Sequence, residues 1–89
     1  MNELNKKVQE IETREDFLCF MRMLINDINN NKWENNTLLN YLEGIEGWVD
    51  DMDGYFKNIK DFDALGKIEN NQLDWKILAK IFLAATIYE

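Results

Sequence analysis

Eighty-nine residues, 46% of them hydrophobic, with three Trp, three Tyr and five Phe, predict one folded domain over residues 1–89 with a dense core. One cysteine, Cys19, and no histidine exclude an internal disulfide and a zinc centre. A net charge of −7 argues against nucleic acid and anionic membranes as partners and suits a basic protein; the same acidity also serves solubility.

The start, Met1-Asn2-Glu3-Leu4, has no basic or apolar leader pattern, and no apolar run nears the ~20 residues of a membrane span. With the unpaired cysteine, the expectation is a cytoplasmic protein. The acidity is spread, with three net negative charges in residues 1–45 and four in 46–89.

In chain order, Leu4, Val8 and Ile11 have helical spacing and predict a short first helix. Thr13 with Asp16 resembles a capping box and opens a second. Phe17, Phe20, Met21, Leu24 and Ile28 share one arc of it, flanked by Leu18 and Ile25. Cys19 projects opposite this arc, and Asn29, Asn30 and Asn31 are expected to close the helix through a left-handed residue. Trp33 belongs to the connection, with Asn36 as N-cap of a third helix at 37–52. Leu38, Tyr41, Leu42, Ile45, Trp48, Val49 and Met52 occupy about 120° of its wheel. Gly44 and Gly47 allow another backbone to approach closely, or mark a weak helix.

Asp53-Gly54 is a turn signal, and residues 54–73 read as a long irregular stretch packed on the body. Asp74 caps a last helix, roughly 75–88, apolar nearly all round and so central. No alternating strand pattern occurs. The expected fold is all-α: a small irregular bundle of three to four helices with a long loop before the last.

Catalysis finds little support. Histidine, the commonest general base, and serine are both absent. The run Val49 to Gly54 suggests a calcium loop, but aligning Gly54 with position six puts Val49 and Lys60 at the first and last ligand positions, where neither serves. No cofactor and no metal site is expected. The informative stretch is Glu43, Glu46, Asp50, Asp51 and Asp53: five acids with no base between them, with Tyr41, Trp48 and Tyr55 spaced seven apart. Carboxylates beside large aromatics suit a protein-binding surface, with Trp48 and Tyr55 as anchors. The plainer alternative makes the aromatics core and the acids a solvated face.

Certain landmarks carry a resemblance: Trp33-Glu34-Asn35, Leu38, Tyr41-Leu42-Glu43, Trp48, Asp51-Met52-Asp53-Gly54-Tyr55, Trp75, Ala84-Ala85 and Tyr88-Glu89. Over residues 13–89 the chain resembles a family of small uncharacterised bacterial proteins, a domain of unknown function. The resemblance implies a small bacterial cytosolic domain and brings no catalytic or ligand-binding residues. Similar small acidic proteins often serve as immunity proteins that neutralise toxins. The leading expectation is therefore a non-enzymatic, acidic protein-binding module. The alternatives are a homo-oligomer completed through the last helix, and an acidic mimic of nucleic acid directed at a nuclease or defence protein.

Overall fold

The computed structural model describes residues 2–88. Five helices follow one another: α1 (Asn2–Gln9), α2 (Arg14–Asn30), α3 (Leu38–Asn58), α4 (Phe62–Glu69) and α5 (Trp75–Ala84). The fold is all-helical, with no strand among the described residues. Among the described residues no helix is long and apolar enough to cross a membrane.

The expected capping box at α2 is formed. Thr13 Oγ1 accepts the Asp16 amide at 3.1 Å, and the Asp16 carboxylate accepts the amides of Thr13 at 3.2 Å and Glu12 at 3.0 Å. The other end closes differently from the expectation. Asn31 is extended, at φ −129°, and donates its backbone amide to the Asp27 carbonyl and its side-chain amide to the Asp27 carboxylate. Side-chain hydrogen bonding thus replaces the left-handed cap. The N-cap of α3 is Thr37 rather than Asn36, its hydroxyl accepting the Asn40 amide.

The largest correction concerns residues 54–73. Helix α3 continues through Gly54 to Asn58, because Trp48, Met52 and Phe56 repeat at four-residue spacing and are all buried. Burying Phe56 is worth about 1.5–3 kcal/mol, more than the ~1 kcal/mol that a helical glycine costs. The break comes at Lys60, in the left-handed region at φ 61°. The Lys60 amide bonds the Lys57 carbonyl, and the Asp61 amide bonds that of Phe56, a Schellman closure. Asp61 at once caps α4 through the Ala64 amide. Asn71, at φ 58°, closes α4 in the same way. The long loop is therefore a helix extension, a turn and an extra helix, which makes five helices in place of three or four.

Helix α5 is central, as its all-round apolar wheel implied, although it ends at Ala84 with a turn following. It packs on α1, α2 and α3. Ala79 and Leu83 join Leu4, Val8, Ile11, Phe20 and Leu24 in one core cluster. Ile77 and Ile81 join Trp48, Met52, Phe56 and Ala64 in the other. Helices α2 and α3 both rest on α5 and make no extensive contact with each other.

Asp74 caps α5 through the Ile77 amide at 2.7 Å and also accepts the Lys67 ammonium at 2.8 Å. Burial pushes its carboxyl up, but the Lys67 ammonium and the Ile77 amide outweigh this and hold it below the usual range. The amides of Glu12 and Thr13 hold Asp16 low as well. Groups depressed in the folded state stabilise it above their unfolded pKa, near 4, and that contribution disappears as pH falls through the folded values. Urea midpoints should thus fall steadily below about pH 4. A midpoint unchanged between neutral pH and about pH 2.5 would contradict both linkages.

Candidate functional site

The carboxylates predicted as a site divide into two groups. At 100° per residue, Leu38, Val49 and Leu42 fall within about 40° on α3, and Asp53, Glu46, Asp50 and Glu43 follow over the next ~100°. These four acids are exposed, and so are the three apolar residues beside them, Leu38 at 75%, Leu42 at 52% and Val49 at 38%. Leu39, also exposed, lies among the acids. One side of α3 is therefore an uncovered apolar strip bordered by a base-free strip of carboxylates.

Asp51 lies about 80° past Glu43, on the far side of the helix. The Tyr88 hydroxyl donates to it, and this hydrogen bond pushes the Tyr88 phenol above its ordinary range. Asp51 thus belongs to a latch that holds the chain end against α3. Gly44 and Gly47 make room for that latch. A Cβ on Gly44 would lie 2.7 Å from the Ala85 carbonyl oxygen, and one on Gly47 would lie 3.3 Å from the Tyr88 ring. Gly44 thus admits a second backbone, and Gly47 the Tyr88 side chain. Asn35 completes the latch, its side-chain amide donating to the carbonyls of Ala85 at 2.8 Å and Tyr88 at 2.6 Å. Glu89 of the landmark pattern lies outside the described residues.

The two expected anchors are placed elsewhere. Trp48 is 5% exposed and packs in the second core cluster, its ring centroid 5.8 Å from Phe56 and 5.5 Å from Tyr55. Its four-residue spacing from Met52 turns it inward, so it presents no surface to a partner. Tyr55 is half-buried beneath the Lys80 ammonium, 4.9 Å from its ring centroid, on the α5 side of α3 and away from the carboxylate strip. The run Val49 to Gly54 is helical, so no calcium-type loop exists there. Cys19 is exposed on α2.

A feature the sequence reading missed lies across from the strip. Ile25 and Ile28 of α2, assigned to the core arc or its flank, are 58% and 45% exposed. With Met21, Trp33, Leu38 and Tyr41 they line an open, mainly apolar cavity of about 300 Å³ between α2 and the start of α3. Phe82 of α5 contacts both helices. Its ring is 6.2 Å from that of Phe17, and its carbonyl accepts the Tyr41 hydroxyl at 2.9 Å. Burial pushes the Tyr41 phenol up to about 12, so it acts as a donor at any ordinary pH. The signal was present in the wheel. About 120° of apolar surface on α3 is more than α4 and α5 cover.

Searches of curated proteins and of solved structures each found no match. A family model, described as Family of unknown function (DUF7660), matches residues 13–89. The match takes in α2 to α5 and begins after α1, although Leu4 and Val8 complete one of the two core clusters. Spanning most of the sequence and the landmarks at the latch and on α3, the match shows that the chain belongs to DUF7660, a family of unknown function.

Proposed function

We propose that this chain is a non-enzymatic, acidic protein-binding module of the bacterial cytoplasm whose partner is a basic protein. The observation that carries this reading is the side of α3 on which Glu43, Glu46, Asp50 and Asp53 border the uncovered Leu38, Leu42 and Val49. Exposed large apolar side chains in a contiguous set mark interaction surfaces. A single-sign rim steers a partner of opposite charge and rejects one of like charge. Binding then occludes the partner's basic surface, and an immunity protein masking a cationic toxin is one concrete form of this mechanism.

The two other readings draw less support. Within one chain α5 already packs on α1, α2 and α3, which lessens the motive for a dimer through that helix. The carboxylate strip follows one helix for about 15 Å, short of the broad phosphate-like array of a nucleic-acid mimic.

The test is affinity purification of the tagged full chain from cells that produce it, as wild type and as Glu46→Lys/Asp50→Lys. Both side chains are exposed, so the fold should be unaffected. The wild type should recover a basic protein, the charge-reversed chain about tenfold less of it, and wild-type recovery should drop with added salt. Equal recovery by both chains would sink this site.

A further inference from the structure

We infer that the open apolar cavity between α2 and the start of α3, with the exposed apolar residues that run on from it, is a docking groove for a cationic amphipathic helix, about three turns long, of a protein partner. This rests on the protein-binding reading above and specifies the shape and charge of what is bound.

The shape follows from the two walls. On α2, Leu18, Met21, Ile25 and Ile28 repeat at alternating three- and four-residue spacing, and all but Met21 are exposed. On α3, Leu38 and Tyr41 line the cavity, and the exposed Leu42 and Val49 carry the apolar strip on along the helix beyond it. Each strip is about 15–17 Å long at 1.5 Å per residue, the length of a three-turn helix. Both helices pack on α5, and Phe82 of α5 contacts Phe17 of α2 and Tyr41 of α3. The Trp33 and Tyr41 rings, with centroids 5.5 Å apart, lie at the end of the groove where α2 connects to α3. An open apolar cavity from which exposed aliphatic side chains run on along each helix suits the apolar ridge of a third helix.

The charge follows from the rims. Along α3 the apolar strip gives way to Glu46 and Asp53, with Glu43 and Asp50 behind them. Along α2 the corresponding exposed positions are Arg22 and Asn29. The groove is negative on one side only. An occupant therefore carries lysine or arginine on the flank facing α3 and a neutral or acidic flank facing Arg22. A second copy of this chain would bring another −7 and another carboxylate strip, which disfavours self-docking. The chain's own basic helix, α1, is unavailable, since Leu4 and Val8 fix it in the core.

The full-length chain should be titrated with a synthetic peptide of about 14 residues, leucine and lysine at helical spacing, and with a scrambled peptide of identical composition. Backbone amide NMR shifts report the site. The periodic peptide should bind about tenfold or more tightly than the scrambled one, with shifts concentrated in residues 18–28 and 38–49. Ile25→Asp, at an exposed position, should remove that preference, while Glu46→Lys/Asp53→Lys should weaken both peptides. Equal binding of the two peptides, or no effect of Ile25→Asp, overturns the groove and leaves the acidic-surface reading standing. No effect of the charge reversal overturns the acidic reading as well. Light scattering that shows a dimer, abolished by Ile25→Asp, would assign the groove to a second copy and overturn the proposal.

Discussion

Replacing Asn35 by aspartate should destabilise the protein by about 3–5 kcal/mol at neutral pH, the largest effect expected of any isosteric change in the chain. Asn35 is 7% exposed, and its side-chain amide is the donor to both the Ala85 and Tyr88 carbonyls. Aspartate keeps the shape and loses both donors. The buried Ala85 carbonyl left without a partner costs about 1–3 kcal/mol, the part-buried Tyr88 carbonyl adds less, and a carboxylate facing both oxygens adds further. A domain of this size has only a few kcal/mol of net stability, so much of the population should unfold. The sign of the pH response separates this cause from simple misfit. An aspartate at that position has its folded pKa raised, so the folded state binds the extra proton first and stability recovers as pH falls toward about 5. Chemical denaturation at pH 7 and pH 5 measures both. A loss under about 1 kcal/mol, or one that grows on acidification to pH 5, would refute the latch.

The same substitution at two glycines of α3 should have opposite signs. Gly54→Ala should stabilise by about 0.5–1 kcal/mol, because the position is helical, its φ is not positive, and nothing lies within 4 Å of the added Cβ. Gly44→Ala gains the same helix propensity but places its methyl 2.7 Å from the Ala85 carbonyl oxygen and 2.8 Å from the Asn35 amide nitrogen. The first of these is backbone and cannot rotate away. Overpacking costs about 1–3 kcal/mol, and displacing the Asn35 hydrogen bonds costs more, for a net loss near 2 kcal/mol. The two variants should differ by about 15 °C in Tm. Equal melting temperatures would mean that the chain end does not lie against α3. Because Asn35 and Gly44 serve one contact, their substitutions should combine less than additively.

The starts of α2 and α5 were readable because each is written in a few adjacent residues, whereas the α3 cap was read one residue early and the start of α4 was missed. Thr13 and Asp16 form a complete capping box, and Asp74 caps its helix as expected. Gly44 and Gly47 left two readings open, a close approach or a weak helix, and the close approach of the Ala85 backbone decides the first at Gly44. The helix ends were harder. Gly54 looked like a stop but was carried through by Trp48, Met52 and Phe56, whose shared burial depends on α4 and α5. The actual stop, Lys60 in a left-handed conformation, has no signature in its side chain.

The site divided along the same line. Carboxylate spacing placed Glu43, Glu46, Asp50 and Asp53 on one face because helical periodicity is local. Assigning Trp48 and Tyr55 to that face failed because seven-residue spacing puts residues on a common stripe without saying whether the stripe faces in or out. Leu38, Leu42 and Val49 read as core for the same reason. Their exposure follows from α3 packing on α4 and α5 and not extensively on α2, a tertiary fact without a local sequence signal.

The most direct measurement of the central claim remains the comparison of wild type and Glu46→Lys/Asp50→Lys in purification of a native partner, repeated at low and high salt. The account predicts a basic protein bound by the wild type, released as salt rises, and largely lost on charge reversal. A partner held equally by both chains at every salt concentration would contradict it.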